Sequence, residues 1–199
     1  MPGMFESYEI DPALVESSED PRIRAIMDQL ERRYPGRCSL GTIERGAYAP
    51  GVVEREGRIV ATATRLGMIF SGNAMPTQKI SHTAALLLMR SGSPLFESRI
   101  VLPATSFLLA RGSGGRLRNR ITRADGKPFM YLAGFCERPR AEANAVLIMK
   151  PCAGDTRCLS DDEPMVLDEE DVRAWLTDPD AFTALLRKEQ PEFRHEKLL

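Results

Sequence analysis

The sequence predicts an α+β fold built on a strongly bent sheet or partial barrel with peripheral helices. Three observations carry this. The middle of the chain is a run of short β-branched segments separated by turn signals. Amphipathic helical patterns flank that run on both sides. No alternation of strand and helix marks βαβ units.

The elements follow in order. Residues 20–34 form the clearest helix: Asp20 can cap it, Pro21 suits its first turn, and Ile23, Ile26, Met27, Leu30 and Tyr34 share one face before Pro35-Gly36 ends it. Ile59–Arg65 is a β-branched strand entered through a Glu56-Gly57 hairpin turn. Arg99–Pro103, Thr105–Ala110, Pro128–Phe135 and Ala145–Lys150 are further strands, and the Gly- and Arg-rich stretch Arg111–Lys127 reads as an exposed hairpin or loop. Asp168–Leu176 reads as a capped helix with Val172, Trp175 and Leu176 on one side, and Pro179–Arg187 as a second, shorter one. Residues 1–187 thus make one domain, and 188–199 a polar, frayed C-terminal tail. The expected core includes Phe129, Tyr131, Leu132, Val146, Ile148, Val166 and Trp175, with Cys136 a buried structural thiol in or beside a strand.

Composition limits the function classes. The chain has 199 residues, is 43% hydrophobic and 28% charged, and carries a net charge of −1. That is ordinary for a folded domain, and no global basic field announces a nucleic-acid binder. The first ten residues lack a basic segment and an apolar core of the secretory kind, and the longest apolar run, Ala84–Met89, is far short of the roughly 20 residues of a membrane span. The expectation is a cytoplasmic protein, not a membrane protein, with Cys38, Cys136, Cys152 and Cys158 as reduced thiols. No CxxC pair occurs, and a zinc site would have to join Cys152 and Cys158 to a distant third ligand. Neither GxGxxG after a strand, nor GxxxxGK[ST], nor GxSxG is present, and Gly112-Ser113-Gly114-Gly115 lacks the Lys-Ser/Thr ending of a phosphate cradle. No metal and no cofactor is expected.

Several segments, in order along nearly the whole chain, resemble the SOS-response-associated peptidase family, proteins that shield abasic sites in single-stranded DNA. Met1-Pro2-Gly3-Met4-Phe5 is similar to that family's Met-Cys-Gly-Arg-Phe. Ser98–Ala104 resembles Arg-Arg-Cys-Leu-Ile-Pro-Ala, and Pro128–Gly134 resembles Pro-Phe-Phe-Tyr-Leu-Ala-Gly. Leu159–Leu167 lines up with Ile-His-Asp-Arg-Met-Pro-Val-Ile-Leu, and the helix carrying Ala174-Trp175-Leu176 follows. The resemblance implies a single α+β domain around a distorted β-barrel.

The departures from the family bear most on function. The family's nucleophile is an N-terminal Cys, whose amine and thiol close a thiazolidine on the abasic aldehyde; here that position is Pro2. By the same alignment Ser81 stands for the family Asn, Leu109 for its Glu and Ser160 for its His. Leucine transfers no proton, and a serine hydroxyl does not replace an imidazole near neutral pH. Met4 replaces the DNA-facing Arg, and Leu66 the Trp before Gly67. The resemblance therefore implies a catalytically degenerate member, at most a non-covalent binder of single-stranded DNA or a regulatory protein.

Three further readings follow from the residues. Pro2, exposed by methionine removal, is a secondary amine able to form an iminium ion with an aldehyde but not a thiazolidine. Arg111, Arg116, Arg118, Arg120 and Arg123, with Arg99, form a candidate DNA-contacting set; on a strand, Arg116, Arg118 and Arg120 would share one face. Against this stands a solvated loop bridged to the acids at 161–163 and 168–171. Finally, the chain is readable as a protein-interaction domain with no DNA role.

Overall fold

The computed structural model describes residues 4–68, 77–95, 98–111, 117–137 and 143–198. Strand β1 (Met4–Ile10) runs into helix α1 (Pro12–Ser17), capped where Asp11 accepts the Ala13 amide at 2.9 Å. Helix α2 (Pro21–Arg33) follows with the expected cap: Asp20 accepts the Arg22 amide at 2.8 Å, and Ile23 and Leu30 are buried on the inner face. Short β2 (Gly41–Ile43) precedes a long hairpin, β3 (Tyr48–Arg55) and β4 (Arg58–Leu66), paired from Tyr48–Arg65 to Arg55–Arg58. Its two turn residues, Glu56 (φ 52°) and Gly57 (φ 77°), are both left-handed, as the tightest hairpin turn requires.

Next come β5 (Lys79–Ser81), helix α3 (His82–Arg90), β6 (Arg99–Ala104), β7 (Ser106–Arg111), β8 (Leu117–Arg123), β9 (Met130–Cys136) and β10 (Ala143–Pro151). A 3-10 turn (Gly154–Cys158), β11 (Asp162–Pro164), β12 (Val166–Leu167), helices α4 (Asp171–Thr177) and α5 (Ala181–Arg187), and β13 (Phe193–Leu198) complete the chain.

Two sheets result. One is antiparallel, in the order β13-β8-β7-β1-β2. In the other the pairings run β10–β4–β3–β6–β9 and return from β9 to β10, with β5 and β11 also on β10 and β12 on β9. The β4–β10 and β5–β10 pairs are parallel.

The side-chain period of two divides β6, β9 and β10 between two cores. Ile100, Leu102, Leu132 and Leu147 meet Phe5, Tyr8, Phe107, Leu109 and Ile121 of the five-stranded sheet. Val101, Ala133, Phe135, Val146 and Ile148 face the other way, against Trp175, Leu176, Phe182 and Leu186 of α4 and α5. Strands buried on both faces read as unbroken apolar runs rather than alternations, which is how these segments stand in the sequence. Trp175 donates from Nε1 to the Ile100 carbonyl at 3.1 Å and stacks obliquely on Phe135 and Phe182. Gly134 is required by close approach: a Cβ there would lie 2.4 Å from the Val146 carbonyl oxygen.

The predicted core residues Phe129, Tyr131, Leu132, Val146, Ile148, Val166 and Trp175 are all buried, and Cys136 ends β9 as a buried thiol. Three expectations are corrected. The frayed tail contains β13, which pairs along β8 from Phe193–Arg123 to Leu198–Arg118. Main-chain pairing holds it, Phe193 anchors it edge-on to Phe107, and its charged residues suit a sheet edge. Of the two readings of 111–127, hairpin and loop, the hairpin holds, since β8 pairs antiparallel with β7, but it is not exposed throughout: Asn119, Ile121 and Arg123 of β8 turn inward. Asp168 caps no helix, because its carboxylate bonds Arg123 and Lys188 and α4 begins only at Asp171.

Candidate functional site

Three of the four positions marked by the family alignment lie on or beside elements that pair or pack with one another. Leu109, on β7, is the register partner of Phe5 near the start of β1. Strand β1 packs on β11, two residues after Ser160. Ser81 ends β5, and Met149 of β10 is the register partner of both Ser81 and Pro164 of β11. Pro2 lies outside the described residues.

Their side chains have separate tasks. Leu109 is fully enclosed in the core between the sheets. Ser160 is buried, its amide donating to the Thr156 carbonyl at 3.2 Å and its Oγ accepting from the Asp162 amide at 3.4 Å. Ser81 is exposed and caps α3, accepting the Ala84 amide at 3.2 Å. A helix cap and two buried packing positions do not make a nucleophile and its base.

Three of the four thiols are quiet as well. Burial pushes Cys136 and Cys152 up to about 12 and Cys38 up to about 11, so all three stay protonated near neutral pH and are poor nucleophiles. Among the described residues no group of three or more His, Cys, Asp or Glu converges as a metal would need.

The arginines divide into two groups. Arg99 and Arg123 are each only 6% exposed. Arg99 Nη1 donates to the Asp178 carbonyl at 2.8 Å, tying β6 to the end of α4. Arg123 grips Asp125 through Nε and Nη2 and reaches Asp168 at 3.0 Å. Both are fold elements, enclosed away from any docking strand. Arg118 and Arg120 do share the outer face of β8, as their spacing implies, but they bond acids of β1 rather than the acids at 161–163. Arg118 meets Glu6 at 2.7 Å; Arg120 meets Glu9 at 2.8 Å and Glu196 at 3.7 Å. Burial would raise Glu9, but hydrogen bonds from Arg120 and Ser106 prevail and lower it below the ordinary value. Arg111 lies at the end of β7, and Arg116 is outside the described residues.

The motifs did not flag a groove of about 740 Å3 between α2 and α4. Val52, Val101 and Tyr131 form its floor, and Arg22, Gln29, Glu170 and Arg173 stand on its rim. A second hollow of about 390 Å3 adjoins it through Tyr131 and Glu169. An apolar floor with a polar and charged rim is the ordinary make-up of a ligand cleft. Its signal in the sequence was indirect: the helix faces were legible, but their separation was not.

No protein-family model matches the chain, and no curated protein matches it in sequence. Solved structures do match in fold. A phage-related protein of Bordetella bronchiseptica has a TM-score of 0.67 at 16% identity, over 98% of this chain and 93% of that one. A second Bordetella bronchiseptica protein gives 0.66 at 13%, covering 98% and 99%. A Bacteroides thetaiotaomicron protein gives 0.61 at 12%, covering 98% and 91%. At these identities the likeness shows a shared fold. No helix among the described residues is long and apolar enough to cross a membrane.

Proposed function

We propose that the chain is a divergent relative of the SOS-response-associated peptidases that has lost their covalent chemistry on abasic sites. On this reading the ring of pairings β10–β4–β3–β6–β9 is the family's distorted barrel, and the five-stranded sheet packs β1 against β6 and β11. The observation that supports it best is Leu109. The position aligned with the family acid lies opposite Phe5, near the start of β1, and is an apolar core residue. An acid/base group there would have to ionise inside the core, at a cost of several kcal/mol. The remaining role is non-covalent. The outer face of β8 and β1 offers arginines already paired with glutamates, so contact with single-stranded DNA is weak and a protein partner is the other outlet.

The test is incubation with single-stranded DNA bearing one abasic site, followed by a denaturing gel with and without borohydride. No shifted band in either lane is the expected result. A band without reductant would mean a stable crosslink and would overturn the proposal. A band only with borohydride, lost when an added residue blocks Pro2, would replace it with iminium chemistry at the proline nitrogen.

A further inference from the structure

The two hollows that meet at Tyr131 make one cleft, and no position marked by the family alignment lines it. Tyr131 is 8% exposed, so its ring belongs to the core. Its hydroxyl makes no hydrogen bond with any described residue; Asp20 and Arg22 reach it only through space. Nor is it sealed in the interior as the hydroxyls of Ser7 and Tyr8 are, so it opens into the cleft. A phenol held nine-tenths buried where two hollows meet, its donor and acceptor unused, is a hydrogen-bonding point for a molecule that enters from outside. Each hollow also keeps an uncovered apolar side chain. Among the described residues the exposed large apolar side chains are Leu14, Ile59, Leu87 and Leu117. Leu14 lines the smaller hollow and Ile59 the larger, with Phe129 buried behind the one and Val52 and Val101 behind the other. At about 390 and 740 Å3 the hollows have the size that encloses a ligand.

The charges decide what kind of occupant fits. Arg22 pairs with Glu169, Arg123 pairs with Asp125 and Asp168, and Asp20 caps α2. The charges left over are Lys127 and Glu19 in the smaller hollow and Arg173 and Glu170 in the larger, none of them in an ion pair with a described residue. Each hollow thus offers one free base and one free acid. A phosphate backbone gains affinity from bases that neutralise it, and here it would meet an acid for every base. A peptide carries no obligatory charge. Its amides and carbonyls match a phenol, and its apolar side chains match Leu14 and Ile59.

We propose that this cleft holds a linear peptide segment of a partner protein: an apolar side chain enters each hollow, against Leu14 and Ile59, the Tyr131 hydroxyl bonds the main chain between them, and the segment carries little net charge. This goes beyond the loss of covalent chemistry and does not depend on it.

The experiment selects a displayed library of random linear heptapeptides on the whole protein. Enriched peptides are then synthesised with a fluorophore and measured by anisotropy against the wild type and single variants, each checked for folding by circular dichroism. The expected result is enrichment of sequences with two apolar positions and little net charge. Their affinity should fall about tenfold or more in Ile59→Glu, which puts a charge on the apolar wall, and about three- to tenfold in Tyr131→Phe, which removes only the hydroxyl. Leu87→Glu, at an exposed leucine of α3 that lines neither hollow, should leave the affinity unchanged. No enrichment above the library background would overturn the proposal, as would peptides that bind Ile59→Glu and Tyr131→Phe as tightly as the wild type. Displacement of the bound peptide by oligodeoxythymidylate would overturn the choice of a peptide and assign the cleft to single-stranded nucleic acid.

Discussion

Arg123 and Asp168 meet at 3.0 Å across 45 residues of sequence, and the same guanidinium holds Asp125 at 2.7 Å. One buried arginine thus fixes the end of β8, the turn after it and the approach to α4. The guanidinium is buried but its carboxylates are partly exposed, and Asp168 keeps Lys188 when Arg123 is removed. Arg123→Ala should therefore cost about 1–3 kcal/mol through its lost charge-assisted hydrogen bonds, whereas Arg118→Ala, at an exposed pair, should cost less than about 1 kcal/mol. Urea unfolding of the two variants compares them directly.

The same contact sets a pH dependence. The Arg123 guanidinium beside Asp125 lowers that carboxyl to about 2, and hydrogen bonds from Arg123 and Lys188 outweigh burial to lower Asp168. A lowered folded value contributes stability that is present above the unfolded value and lost as pH falls toward the folded one. Stability should decline as pH drops from about 4 toward 2. Arg123→Ala should flatten that decline, as acid titration of the circular-dichroism signal would show.

Trp175 is the chain's single tryptophan and has no exposed surface. Its emission should be blue-shifted in the native state and shift red in one step with loss of the core between α4, α5 and the sheet. Trp175→Ala should cost about 3–5 kcal/mol. Gly134→Ala should cost about 1–3 kcal/mol through overpacking, because the added carbon meets backbone rather than a movable side chain.

Much of this was legible in the sequence. Helix α2 announced itself through Asp20, Pro21 and its apolar stripe, and the β3–β4 hairpin through Glu56-Gly57. The double-faced strands β6, β9 and β10 showed as apolar runs. Two things were hidden, each for a physical reason. Strand β13 is held by backbone bonds to β8, which leave little trace in a charged edge sequence. The roles of Arg99 and Arg123 depend on Asp178 and Asp168, partners 79 and 45 residues away. For the site, the spacing placed Arg118 and Arg120 on one face, but their pairing with Glu6 and Glu9 is a matter of sheet order.

That pairing gives a prediction about DNA. Wild-type binding to undamaged single-stranded DNA should be weak and only slightly dependent on salt. Glu9→Gln removes the closer of Arg120's two acidic partners and leaves Glu196 at 3.7 Å, so it should tighten binding and steepen the salt dependence by about 0.7 in log–log slope for each phosphate newly contacted. Fluorescence anisotropy over a salt series measures both.

The most direct test of the proposed loss of covalent chemistry is a denaturing gel comparing the wild type with Pro2→Cys on abasic single-stranded DNA, each N-terminus verified by mass spectrometry. The account predicts no crosslink for the wild type with or without borohydride, and a stable, reductant-independent band for Pro2→Cys, whose amine and thiol can close the ring. A wild-type band would contradict the claim that covalent chemistry is lost. Absence of a band from folded Pro2→Cys would contradict the alignment of Pro2 with the family's nucleophile.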